Sequence, residues 1–158
     1  MKIRRTIMTL MRKRKKSAQK RRDIDIIIYG ATGFTGKLCV KYFQSLNTTV
    51  TWAMAGRNLI KLQKVADDHQ AKVEILLADS DDESALDNLT SRARVILSTT
   101  GPFHRYGSKL VASCIKNHAH YVDITGENFW VKGLIEKHHA EASAKGIRII
   151  PSCGFDSW

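Results

Sequence analysis

The sequence predicts an α/β protein built on a doubly wound parallel sheet of about six strands. Three features carry that expectation. Six short apolar runs rich in β-branched residues recur along the chain. Segments with helical periodicity lie between them, and the first run stops abruptly in a glycine-rich loop, GATGFTG at 30–36. Strands buried on both faces read as near-continuous hydrophobic stretches, and right-handed crossovers through amphipathic helices then cover both sides of one sheet.

The strands are expected at about 24–29 (IDIIIY), 50–55 (VTWAMA), 73–77 (VEILL), 94–99 (RVILST), 120–124 (HYVDI) and 147–151 (IRIIP). The first helix is expected over 36–46, with Leu38, Tyr42 and Phe43 on its apolar face. The second, 59–70, repeats Leu59, Leu62, Val65 and Ala66 at spacings of three and four. Three more fall at about 82–92, 107–118 and 127–145. Asp81 and Asp82 suit the N-cap and positive dipole end of the helix that follows them. Gly146, after Lys145, suits the left-handed position beyond a helix C-terminus.

Charge divides the 158 residues into two parts. Residues 1–22 carry eleven Lys or Arg and no acid, whereas 23–158 balance 15 basic against 15 acidic residues. A basic stripe across the body would point to nucleic acid; a neutral body with a basic leader does not. Ile3, Ile7, Met8, Leu10 and Met11 recur at roughly helical spacing among the leader's cations. That pattern fits a mitochondrial presequence or contact with an anionic membrane surface. RKRKK at 12–16 fits a nuclear-localisation or polyanion patch, and a solvated leader without a role is the plain alternative. No apolar stretch approaches the roughly 20 residues that span a bilayer. Three separated cysteines, Cys39, Cys114 and Cys153, imply a reducing, intracellular setting without a disulfide framework.

The glycine loop carries the chemistry. Gly30 ends the first strand where a sharp turn is needed. Gly33 lets backbone approach a pyrophosphate, and Gly36 lets the next helix pack closely on the strand. The N–H groups of that helix's first turn then face the phosphates, with Thr32 and Thr35 adding hydroxyls and Phe34 lying between. About twenty residues on, where a carboxylate would grip a ribose 2′-hydroxyl, stands AGRN, with Arg57 and Asn58. A guanidinium there makes charge-assisted bonds to a 2′-phosphate, so NADP(H) is preferred over NAD(H). Asp79 after the third strand is either an acceptor for the adenine amino group or a helix cap. Thr99, Thr100, Gly101, Pro102 and Phe103 follow the fourth strand, beside the topological switch point.

Taken together, GATGFTG (30–36), AGRN (55–58), GPFHRYG (101–107), YVDITGE (121–127) and CGFDS (153–157) resemble the saccharopine dehydrogenase-like oxidoreductases, whose members include trans-acting enoyl reductases. The resemblance implies a Rossmann domain that binds NADP(H) for hydride transfer, with a role in lipid metabolism. It puts Gly30, Gly33 and Gly36 at the pyrophosphate, Arg57 at the adenosine phosphate, and Tyr106, Asp123, Gly126 and Glu127 near the nicotinamide or substrate. It implies a small-molecule or lipid substrate and a homodimer in the full-length family. It associates animal members with mitochondria, lipid droplets or membranes, the cytoplasm being the alternative. In such proteins GFDS leads into a substrate domain, but here Trp158 follows. Residues 23–158 therefore read as an isolated cofactor-binding half, whether fragment, misread gene or degenerate copy, that binds without catalysing.

Tyr106, Asp123 and Glu127 are the catalytic candidates. Asp123 and Glu127 are either an acid/base pair or caps of the helix beginning near Asn128. His118 with His120, and His138 with His139, lack the carboxylate or cysteine companions of a metal set, so no metal is expected. Cys153 lacks a partner base for nucleophilic work. Two other readings stand: a fragment of a short-chain-type dehydrogenase, and a non-enzymatic NADP(H)-sensing or scaffold domain. The former needs Tyr-x-x-x-Lys, whereas Tyr106 and Lys109 are one residue too close.

Overall fold

The structure, a computed structural model, describes residues 22–154; residues 1–21 of the 1–22 leader, and residues 155–158, which hold the end of the CGFDS motif, lie outside the described residues. Six strands, β1 (Ile24–Tyr29), β2 (Trp52–Gly56), β3 (Glu74–Leu77), β4 (Ala93–Ser98), β5 (His120–Asp123) and β6 (Ile149–Ile150), form one sheet in the order β3-β2-β1-β4-β5-β6. Every pairing is parallel; Ile27 of β1, for example, is opposite Ala53 on one side and Ile96 on the other. The helices are α1 (Phe34–Ser45), α2 (Leu59–Asp68), α3 (Glu83–Arg92), the single turn α4 (Phe103–Tyr106), α5 (Ser108–Lys116) and α6 (Asn128–Lys145). This is the doubly wound dinucleotide-binding arrangement, with the chain switching direction across the sheet between β1 and β4.

Period-two alternation explains the two cores. Ile27 and Ile28 are adjacent and both wholly buried, but they point to opposite faces. Ile28 joins Met54, Leu62, Val65 and Val40 under α1 and α2; Ile27 joins Ile96, Leu110, Ile115 and Tyr121 on the other face. Burying one such isoleucine contributes about 1.5–3 kcal/mol.

The structure revises the first helix. It begins at Phe34, so Gly36 lies within its first turn, and the face meeting the sheet carries Gly36 and Val40, with Cys39 and Phe43 flanking. Leu38 and Tyr42, expected inside, are 52% and 61% exposed. The reason is proximity: a helix lying this close to the strand has room only for small side chains at the contact. Phe43 remains half-buried against Trp52, with ring centroids 5.7 Å apart. In α2, Leu62, Val65 and Ala66 are buried as the periodicity requires, but Leu59 is exposed. The helix expected over 107–118 is α5, Ser108–Lys116, and the separate turn α4 at Phe103–Tyr106 precedes it unforeseen. β6 is only two residues long.

Asp82, not Asp81, caps α3, accepting the Ala85 N–H at 2.9 Å; Asp81 instead lies 3.4 Å from Lys109 Nζ. Gly146 ends α6 at φ 66°. At the amino edge of the sheet Arg92 bonds Asp23 at 2.5 Å and Glu74 at 2.7 Å. Among the described residues, no helix is long and apolar enough to cross a membrane.

Candidate functional site

In a parallel sheet every strand ends on the same edge, so the loops after β1, β2, β3 and β4 converge. They enclose a crevice of about 360 Å³. Of the residues the sequence singles out, Gly30, Thr32, Gly33, Arg57, Thr99, Thr100, Gly101, Pro102 and Tyr106 line it. Tyr29, Gly56 and Ser80 line it too and were not singled out for that role. A somewhat larger groove of about 400 Å³ lies between α6 and β6, away from these loops.

The turn after β1 is built by close approach. Gly30 sits at φ 86°, and a Cβ there would fall 2.2 Å from Thr100 Oγ1. A Cβ on Gly36 would fall 2.2 Å from the Gly30 carbonyl oxygen and 2.8 Å from Ala31 Cα. Both positions therefore require glycine, one for conformation and one for space. Thr99 laces β4 to this turn: its hydroxyl lies 3.2 Å from the Tyr29 carbonyl oxygen and 3.1 Å from that of Gly30. Beneath, the buried Tyr29 donates its phenol hydrogen to the Ala78 carbonyl at 3.3 Å. Desolvation pushes that phenol well above its ordinary pKa, so it is a neutral donor.

The entrance to α1 differs from its neighbours. α2 and α3 are capped by Asn58 and Asp82 side chains, each accepting an N–H of its own first turn at 2.9 Å. α1 begins at Phe34 after the N-cap residue Gly33, with no side-chain cap and no acid in its first turn. The N–H groups of Phe34, Thr35 and Gly36 have no acceptor among the described residues. Three convergent unpaired donors at a dipole's positive end form an anion site. The Phe34 ring is 84% exposed, and Gly36 is buried against the turn. Arg57, exposed at the tip of β2 on the crevice wall, makes no hydrogen bond or ion pair among the described residues. Thr100 Oγ1 is buried and likewise unpaired. Free amides, a free guanidinium and an orphaned hydroxyl around one cleft fit a phosphorylated dinucleotide.

Four candidates take other roles. Asn58 Oδ1 is occupied in capping α2, and Asp79 accepts the Asp81 N–H at 3.0 Å in a local turn; neither lines the crevice. Asp123 is 1% exposed, receives the Tyr121 hydroxyl at 2.8 Å and the N–H groups of Thr125 and Ser152 at 3.0 and 2.9 Å, and so ties β5 to the turn after β6. In this structure it acts as an internal fastener. Glu127 occupies the N-cap position of α6, but its side chain does not bond that helix; its carboxylate reaches the turn after β4. The histidines are dispersed: His120 Nδ1 accepts the Arg148 N–H at 3.0 Å, and His138 lies in the α6–β6 groove. Among the described residues no group of three or more His, Cys, Asp or Glu side chains could hold a metal.

Residues 26–150 match the saccharopine dehydrogenase NADP binding domain. The chain belongs to that family. A trans-acting enoyl reductase of Mycobacterium leprae is 40% identical over 140 residues, and one of Mycobacterium tuberculosis is 40% identical over 139. These matches take in 87% and 86% of this chain, but only 34% and 33% of the relatives. The chain thus spans about a third of the length of the curated relatives it matches. Among solved structures, the apo histidine-tagged saccharopine dehydrogenase (L-Glu forming) of Saccharomyces cerevisiae shares the fold with a TM-score of 0.68 at 21% identity. That match covers 83% of this chain and 27% of the yeast one. A short-chain dehydrogenase/reductase from Veillonella parvula in complex with NADP shares it more loosely, with TM-score 0.53, 14% identity, and 65% and 47% coverage. The saccharopine dehydrogenase-like domain is therefore a dinucleotide-binding Rossmann domain of an oxidoreductase family.

Proposed function

We propose that this domain binds NADP(H) in preference to NAD(H) for hydride transfer to an enoyl or carbonyl compound. The trans-acting enoyl reductase relatives support an enoyl substrate, and a place in lipid metabolism belongs to the same proposal. One observation carries the binding reading: Gly33, at the uncapped N-terminus of α1, and the unpartnered Arg57 line the same crevice. The N–H groups of Phe34, Thr35 and Gly36 take the pyrophosphate. Arg57 takes the 2′-phosphate, with the Ser80 hydroxyl beside it on the wall. When bound, the cofactor supplies the hydride; the chain's own residues bind, orient and exclude water. Of the three catalytic candidates, only Tyr106 reaches the crevice. With Asp123 and Glu127 committed to backbone donors, residues 22–154 hold the cofactor, and we assign substrate selection and any dimer contacts to parts of the full-length family beyond them. Residues 23–158 are assigned to this one domain.

Isothermal titration with NADPH and NADH tests this. NADPH binds at least about tenfold more tightly, and Arg57→Asp removes that advantage by roughly 10–100-fold, the scale of lost charge-assisted hydrogen bonds, while sparing NADH. Equal loss for both nucleotides, or no heat with either, refutes the reading. For the basic leader, 1–22, we propose attraction to an anionic membrane surface, at a mitochondrion or lipid droplet. A reporter fused to residues 1–22 that stays diffuse refutes that.

A further inference from the structure

Glu127 has the geometry of a clamp. Its Oε1 accepts the Phe103 N–H at 2.8 Å, and its Oε2 accepts the His104 N–H at 2.8 Å. The His104 ring nitrogen Nδ1 lies 2.7 Å from Oε2. An ionised carboxylate only accepts, so Nδ1 carries the hydrogen. The Glu127 side chain is 22% exposed. Its partial desolvation pushes the carboxyl pKa up, but the N–H groups of His104 and Phe103 and the His104 ring outweigh this and hold it below the ordinary carboxyl value.

The bonds span 23 and 24 residues, joining the loop after β5 to the turn after β4. That turn contributes Gly101, Pro102 and Tyr106 to the crevice wall. From below, Phe103 is buried against Trp130, with ring centroids 5.9 Å apart. Trp130 Nε1 donates to Ser108 Oγ at 2.9 Å. The turn is thus seated on an indole and hooked by a carboxylate. In this strand order Arg57 and the α1 entrance lie over β1 and β2, which places the adenosine half there; the remaining half extends toward β4 and β5. The clamped turn borders that second half.

Resting on the NADP(H)-binding reading, we propose that Glu127 is the positioning residue for the nicotinamide half of the dinucleotide, setting the wall Gly101–Tyr106 by clamping Phe103 and His104. The probes that separate the halves are NADPH and 2′,5′-ADP, which carries the phosphorylated adenosine alone. Calorimetry on Glu127→Gln shows NADPH weakened about tenfold, the scale of a lost pair of charge-assisted bonds, and 2′,5′-ADP changed less than about twofold. Backbone exchange at Phe103 and His104 accelerates in the same variant. His104→Ala, at a half-exposed position, removes the ring bond and the ring's contact with Phe129 but keeps both N–H bonds to Glu127, and weakens NADPH about threefold with 2′,5′-ADP unchanged. It carries the test if Glu127→Gln does not fold. Equal losses for both ligands make Glu127 a general structural residue and overturn the proposal, as does unchanged NADPH affinity. Wild-type protein that binds neither probe refutes the underlying reading, and the proposal with it.

Discussion

Two glycines in helices make opposite predictions for one substitution. At Gly36 the added methyl of alanine would lie 2.2 Å from the Gly30 carbonyl oxygen, more than about 1 Å inside the 3.4 Å at which ordinary contact begins. The Ala31 Cα and carbonyl carbon are also within 3 Å. All three are backbone atoms of a turn laced to β4, so α1 must retreat from the sheet and loosen the packing around Val40. Overpacking of this kind costs about 1–3 kcal/mol, against a gain of about 1 kcal/mol in helix propensity. Taking the upper part of the overpacking range, because the atoms met are backbone, the net loss is about 1–2 kcal/mol. At Gly133, exposed within α6, a Cβ meets nothing within 4 Å, so only the propensity gain of about 0.5–1 kcal/mol remains. Urea unfolding reads both. With a slope near 2 kcal/mol/M, Gly36→Ala lowers the midpoint by roughly 0.5–1 M and Gly133→Ala raises it by about half that, both with unchanged slope. A Gly36→Ala protein as stable as the wild type, or two variants shifting in the same direction, refutes the contact geometry at the turn.

Gly33→Ala separates folding from binding. Its Cβ would sit 3.5 Å from the Gly30 oxygen, an ordinary contact, so stability moves by less than about 0.5 kcal/mol while NADPH affinity falls at least about tenfold because the methyl stands where the phosphate approaches. Asp82→Ala removes the cap of α3 and costs about 1 kcal/mol in a thermal melt; no loss would mean water replaces the carboxylate there. The depressed Glu127 pKa sets a pH window. The stabilisation from its ionised form is fully present above the unfolded carboxyl pKa of about 4.3 and is lost as pH falls through the lower folded value. Protection of the Phe103 and His104 amides therefore persists on acidification past the unfolded carboxyl pKa and is lost only once the folded carboxyl protonates; loss already at about pH 6 contradicts the clamp.

The strand pattern was legible because buried parallel strands are written locally, as runs such as IIIY and VILS. So was the Gly30–Gly36 turn, since close backbone approach has no other residue to use. The inward face of α1 was not legible, because size mattered there more than hydrophobicity: Gly36 and Val40 fit where Leu38 and Tyr42 do not. The site divides in the same way. Arg57 could be placed by counting from the glycines, but Ser80 and Tyr29 reach the crevice through sheet geometry that leaves no periodic mark. Glu127 and Asp123 look alike in YVDITGE. Only the fold shows that one is buried against Tyr121 and the other hooks a turn more than twenty residues earlier in the sequence.

The ion cluster of Arg92 with Asp23 and Glu74 stitches the start of β1 to that of β3 beneath β2. It also fixes where the polypeptide joins the body: at Arg22, on the side from which the strands depart. The cleft lies where they arrive, about 20 Å away along six residues of β1. A label or tether fixed at Arg22 would therefore sit at the opposite edge of the sheet from the mouth of the cleft, leaving it open to whatever diffuses in.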